Sequence, residues 1–219
     1  MSTIFILHGT AERDPNYAAD LVKNLPGLNV VQGFYGDILQ QYENPALEKL
    51  QAQPAWKAEH MKTDIRLPVI QFAQDMTYWM NNFSVQDDVS KRLSSQLPNA
   101  GSIVHLLFHS FGCMVGFCYL YLDVFQQTND IRSITTVGCP LHMYGREVQS
   151  NWGPWYNFYH TEDVLSAPLN GLYGCTDHEV KDAGPPTELV WDSGLPFTLA
   201  AHNCYFKSMT LAEHLNSLS

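Results

Sequence analysis

The sequence predicts an α/β fold: a three-layer α/β/α sandwich around a mostly parallel six-stranded sheet. Three observations carry that expectation. Short apolar runs alternate with longer helix-like stretches, the pattern that places crossover helices on both faces of a parallel sheet. Most of the runs are apolar nearly throughout, as strands buried on both faces require. The composition, 45% hydrophobic and 16% charged over 219 residues, supplies a core for a single domain spanning 1–219.

Taken in order, the first strand is expected at Thr3–Leu7, leading into His8-Gly9-Thr10. A helix over Asn16–Asn24 stops at Leu25-Pro26-Gly27, and a second strand covers Asn29–Tyr35. Residues 37–83 do not fit a simple crossover. Pro45–Gln51 and Leu67–Asn82 both read as helical, separated by Pro54 and Pro68. The segment is read as a small helical cap-like insertion beside the sheet, with an ordinary amphipathic helix docked on the core as the alternative.

Ser84 with Asp87 three residues on reads as an acidic capping box, and Val85, Val89, Leu93 and Leu97 form one apolar stripe ended by Pro98-Asn99. A third strand at Ile103–Phe108 runs into a largely buried helix over Ser110–Phe125, with Gly112 and Gly116 on a side that can approach the sheet closely. Strands follow at Ser133–Val137, Trp155–Tyr159 and Glu188–Trp191. Trp152–Trp155 and Gly171–Pro186 are rich in turn-forming residues and read as loops.

Charge and cysteine usage narrow the function classes. Twelve Lys and Arg against 22 Asp and Glu give a formal net charge of −10. A surface of that sign repels phosphate backbones and anionic membranes, so no nucleic-acid partner is expected. The five cysteines are scattered and form no Cys-x-x-Cys pair, against a disulfide scaffold or a zinc site. Met-Ser-Thr-Ile-Phe-Ile-Leu reads as a buried strand rather than a signal peptide, and no apolar run approaches the roughly 18 residues of a membrane span. The expectation is a cytoplasmic protein without stable membrane insertion. No Gly-rich phosphate loop or dinucleotide fingerprint occurs, so no cofactor is expected.

The informative segment is His105-Leu106-Leu107-Phe108-His109-Ser110-Phe111-Gly112. An apolar strand runs directly into a serine and then a helix, the setting of a nucleophile elbow. A helix starting there aims free N–H groups and its positive dipole end at a developing oxyanion. Serine is a weak nucleophile that needs a base, and the base needs an orienting acid. Asp163 lies just past the Trp155–Tyr159 strand, and His202 lies beyond the last strand. Ser…Asp…His, each after a separate strand, is a known order for such a relay. If the first and third strands are neighbours with helices on opposite faces, a crevice opens between their C-terminal ends. Thr10 and Ser110 then face that crevice, and the backbone N–H groups of Thr10 and Phe111 can form a two-donor oxyanion hole.

Taken together, His-Gly-Thr after the first strand, His-Ser-Phe-Gly at the elbow, and Asp163 and His202 after later strands resemble the α/β-hydrolase superfamily. The resemblance covers essentially the whole chain, as a small member lacking the N-terminal hairpin. It implies a serine hydrolase acting on a carboxylic ester, lipid-like or with a small acyl group, through an acyl-enzyme. Ser110 would be the nucleophile, His202 the general base, Asp163 the acid, and Thr10 and Phe111 the backbone donors. His8 would brace the oxyanion loop. Lipases, phospholipases, thioesterases and amidases share this machinery, and pocket shape separates them.

One position departs from the family pattern. The elbow is usually Gly-x-Ser-x-Gly, and Phe108 occupies the first glycine's place. The ring needs space elsewhere, opposite Gly116 or another small group. Phe108 also motivates the alternative of a hydrolase-like protein that binds a ligand or partner without turnover.

Each candidate has a competing structural reading. A serine before a helix is often only an N-cap. Asp163 competes with Glu162 and is preferred because Val164-Leu165 would anchor the next turn. His202 competes with His160, expected to pack or cap locally, and with His178. The carboxylates around His178 invite a metal reading, but the segment reads as a solvated surface, and no metal is expected. His109 beside the nucleophile can bond backbone or line the pocket, and His105 is expected buried in its strand. Tyr78, Trp79, Phe83, Trp152 and Trp155 are candidates for an acyl pocket or for core.

Overall fold

The structure, a computed structural model, describes residues 2–9, 12, 14–41, 75–121, 129–143, 152–163, 165–183 and 201–218. Its centre is a six-stranded sheet of β1 (Thr3–Leu7), β2 (Asn29–Gly33), β3 (Ile103–His109), β4 (Asp130–Val137), β5 (Trp155–Tyr159) and β6 (Thr176–Glu179). The order is β2-β1-β3-β4-β5-β6 and every pairing is parallel. The class is α/β, with α1 (Ala19–Lys23), α2 (Gly36–Gln41), α3 (Phe83–Gln96), α4 (Phe111–Tyr121), α5 (Asn170–Tyr173) and α6 (Met209–Ser217).

Side chains along a strand alternate between faces, so each central strand feeds two cores. Ile4, Ile6, Leu107, Val137 and Phe158 join one cluster with Leu21 of α1 and Leu211 and Leu215 of α6. Phe5, Leu7, Leu106, Phe108 and Ile134 join the other with Val85, Val89 and Leu93 of α3 and Met114 and Phe117 of α4. Burial on both sides explains why β1 and β3 read as unbroken apolar runs. At roughly 2 kcal/mol for each fully buried large apolar side chain, these two clusters dominate the folding energy.

Several elements differ from the sequence reading, α5 at the start of the expected loop among them. The sixth strand is Thr176–Glu179, inside the segment read as a loop; the expected strand at Glu188–Trp191 lies outside the described residues. Thr-Asp-His-Glu has no apolar run because no residue of β6 is fully buried, and among the described residues it pairs with β5 on one side only. The cap of α3 is Asn82, whose Oδ1 accepts from the Ser84 N–H at 3.1 Å and the Ser84 hydroxyl at 2.7 Å. Ser84 therefore lies inside the helix, and Asp87 pairs with Lys91 one turn on instead of closing a capping box. β2 ends at Gly33, short of the expected Tyr35, because Tyr35 turns away to bond His8. The C-terminal helix α6, not anticipated, is capped by Ser208, whose Oγ accepts from the Leu211 N–H.

The insertion expected near 37–83 lies mostly outside the described residues; its described ends are helical, at α2 and at 75–81. α4 is described to Tyr121, and the last part of the expected Ser110–Phe125 helix lies beyond. No helix among the described residues is long and apolar enough to cross a membrane. None of the five cysteines is in a disulfide, and four of them are buried.

Candidate active site

In a parallel sheet every strand ends at the same edge, so the segments following β1, β3 and β5 collect there. β1 and β3 are neighbours, with Leu7 paired to Phe108. Leu21 of α1 and Met114 of α4 belong to the two different cores, so the chain leaves the sheet to opposite faces at this junction.

Ser110 follows β3 directly. Its N–H still donates to the Val137 carbonyl at 3.0 Å, while its backbone sits at φ 56°. It is the one non-glycine residue at positive φ among those described, a conformation costing an L residue about 1–2 kcal/mol. Two glycines make the turn possible. A Cβ at Gly9 would lie 2.8 Å from the Ser110 Cβ, and one at Gly112 would lie 2.4 Å from the His8 carbonyl oxygen. Only bare backbone fits between elbow and β1.

Phe108 is accommodated by the same device one turn further along. A Cβ at Gly116 would lie 2.5 Å from the Phe108 ring, so the space for the ring is supplied by the helix. The ring packs edge-on against Phe117, and Ser110 keeps its strained turn.

Three of the five expected site residues meet in one hydrogen-bonded chain. His202 Nε2 lies 2.6 Å from Ser110 Oγ, and His202 Nδ1 lies 2.9 Å from Asp163 Oδ2. All three are buried. With Nδ1–H donating to the carboxylate, Nε2 is left bare to accept the serine proton. Gly138, at φ 59° after β4, leaves room for this ring: a Cβ there would lie 3.0 Å from His202 Cε1. Phe111, the fourth expected residue, is the first of α4, so its N–H belongs to the first-turn set without an intrahelical acceptor. Thr10, the fifth, lies outside the described residues.

Asp163 is held by three donors. Oδ1 accepts from the Leu165 N–H at 2.9 Å, while Oδ2 accepts from His202 and from the Tyr205 hydroxyl at 2.8 Å. Burial alone would push this carboxyl up. The hydrogen bonds and the neighbouring imidazole outweigh that and hold it below the ordinary carboxylate value. Its rival Glu162 is exposed.

The other histidines have separate partners. His109 lies with Nε2 2.9 Å from the His202 carbonyl oxygen, tying the strand that leads into Ser110 to the backbone of His202. Burial, then the nearby His202, lowers its pKa to about 3, so it is neutral and donates this bond. His8 Nε2 accepts from the Tyr35 N–H, the Tyr35 hydroxyl donates to the His8 carbonyl at 2.7 Å, and the two rings stack at 4.0 Å. His160 Nδ1 accepts from the Glu162 N–H, and His105 Nδ1 meets Ser133 Oγ at 2.8 Å.

His178 stacks on Phe158 at 4.7 Å as part of β6, not in a solvated loop. The adjacent Asp177 is spent on the Leu169 and Asn170 N–H groups and on Asn157. Among the described residues no three His, Cys, Asp or Glu side chains form a metal-binding group.

Of the pocket candidates, Trp79 packs edge-on against Phe111, and Trp152 and Trp155 pack around Phe117 in the core. Phe83 is 87% exposed, which removes it from any pocket wall, and Tyr78 is only partly buried. Sequence reasoning passed over Tyr205 and Gly138. Tyr205 stands three residues after His202, a spacing that shares one side of a helical turn. Against this geometry, no protein-family model matches the chain, and no curated protein matches its sequence.

Proposed function

We propose that this protein is a serine hydrolase of α/β-hydrolase type, with the superfamily's three-layer arrangement, that cleaves a carboxylic ester carrying a lipid-like or small acyl group. The observation that carries the reading is the Ser110–His202–Asp163 chain ending on a serine at φ 56°. A helix N-cap needs neither a histidine at 2.6 Å from its hydroxyl nor a strained backbone, so the structural alternative for Ser110 leaves both unexplained. Accommodation of Phe108 at Gly116 leaves the turn at Ser110 intact, which supports turnover over binding alone.

On this reading, His202 Nε2 takes the Ser110 proton as Oγ attacks the acyl carbon. Asp163 stabilises the imidazolium that forms. The negative charge moves to the former carbonyl oxygen, where the Phe111 N–H receives it; the resemblance implies the Thr10 N–H as the second donor. Such donors are worth about 3 kcal/mol each. The imidazolium then protonates the departing alcohol, leaving Ser110 acylated. Water, deprotonated by His202, attacks the acyl group, and the imidazolium returns that proton to Ser110 Oγ as the acyl–oxygen bond breaks and the acid leaves.

The test is hydrolysis of p-nitrophenyl esters by the wild type and His202→Ala. The expected outcome is measurable turnover in the wild type and a loss of about 10⁴-fold or more in kcat for the variant. Equal, negligible rates in two folded proteins would overturn the reading.

A further inference from the structure

We propose that Tyr205 is a positioning residue that fixes the Asp163 carboxylate and sets how strongly it holds the protonated His202 ring. The inference rests on the hydrolase reading above and adds a fourth side chain to it.

The Tyr205 hydroxyl has one proton and two acceptor sites. Its proton goes to Asp163 Oδ2 at 2.8 Å, the same oxygen that receives His202 Nδ1 at 2.9 Å. Its oxygen lies 3.0 Å from the His160 N–H and 3.0 Å from Ser166 Oγ. With its proton committed to the carboxylate, Tyr205 accepts from both. Each bond accepted polarises the hydroxyl further towards Asp163. The ring is fully buried in the core shared with α6, so the hydroxyl has no freedom to turn away. One oxygen thus fastens the loop carrying the acid to the turn carrying the base.

Sharing Oδ2 has an electrostatic consequence. A carboxylate that already accepts from a hydroxyl offers less charge to an imidazolium on the same oxygen. Removing the hydroxyl therefore strengthens the hold on a protonated ring and also loosens the carboxylate. Beside the pair lie three other titratable groups, His160, whose Nδ1 accepts from the Glu162 N–H, His109 and Cys204. Burial, then the neighbouring His202, lowers the His109 pKa to about 3, and burial raises the Cys204 thiol to about 11.

The experiment compares wild type with Tyr205→Phe in two ways. The ring protons of His202 are titrated by NMR, which requires no turnover, and kcat/KM for a p-nitrophenyl ester is followed against pH. The expected result is a titration midpoint and an acid limb both displaced upward by roughly one pH unit. In the same variant kcat falls about tenfold while KM barely changes, because the loosened carboxylate no longer holds the imidazole in line with Ser110, a loss that outweighs the firmer hold on its protonated form. Should Tyr205→Phe fail to fold, Ser166→Ala keeps the tyrosine but removes a donor to its oxygen, and the displacement is smaller in the same direction. A folded variant whose midpoint and limb both match the wild type would overturn the proposal. A displaced midpoint in a protein that hydrolyses no ester would support the role of Tyr205 and count against the hydrolase reading.

Discussion

Ser110 holds its backbone where glycine is preferred, and that conformation separates two variants that both lack the hydroxyl. Ser110→Ala and Ser110→Gly remove the same hydrogen bond to His202, but alanine keeps a Cβ at φ 56° and glycine does not. The glycine variant is expected to be the more stable by about 1 kcal/mol in urea denaturation, although glycine elsewhere usually destabilises. Equal stability, or a more stable alanine variant, would show that the elbow is not strained. The sequence pointed to Ser110 because a strand, a serine and a helix follow one another without a break. The strain itself was not readable, since it depends on how closely Gly9 and Gly112 let β1 approach.

At the scale of elements, β3 and α4 fit a large side chain against an absent one: Phe108 on the strand, Gly116 on the helix. Gly116→Ala forces a methyl to 2.5 Å from a ring packed against Phe117, at an expected cost of about 1–3 kcal/mol. Adding Phe108→Ala to that variant removes the clash, so a double-mutant cycle by thermal or urea unfolding is expected to show a coupling of at least about 1 kcal/mol. Additive effects would mean that the two positions do not face each other. Strands buried on both faces, such as β1 and β3, were legible from their apolar runs. β6 was not, because a strand with no fully buried residue needs no such run and Asp177 serves the turn beside it. The cap of α3 was misplaced by two residues because Asn82 and Ser84 are both good caps, and only backbone geometry separates them.

For the whole molecule, the parallel sheet converts distance along the chain into proximity. Ser110 and His202 are 92 positions apart, and Asp163 lies 39 from His202, yet all three meet at the edge where β3 and β5 end. Their order along the chain was readable from the sequence. Their supports were not. Tyr205 beneath Asp163, His109 against the His202 carbonyl and Gly138 beside the imidazole are contacts between segments that no local pattern encodes. The central claim is that this assembly makes one serine nucleophilic. Treating the intact protein with a fluorophosphonate and weighing it by mass spectrometry tests that claim most directly. A single adduct on Ser110 is expected in the wild type and none in Ser110→Ala. A folded wild-type protein that stays unlabelled, or an Ser110→Ala variant labelled as fast as the wild type, would contradict it.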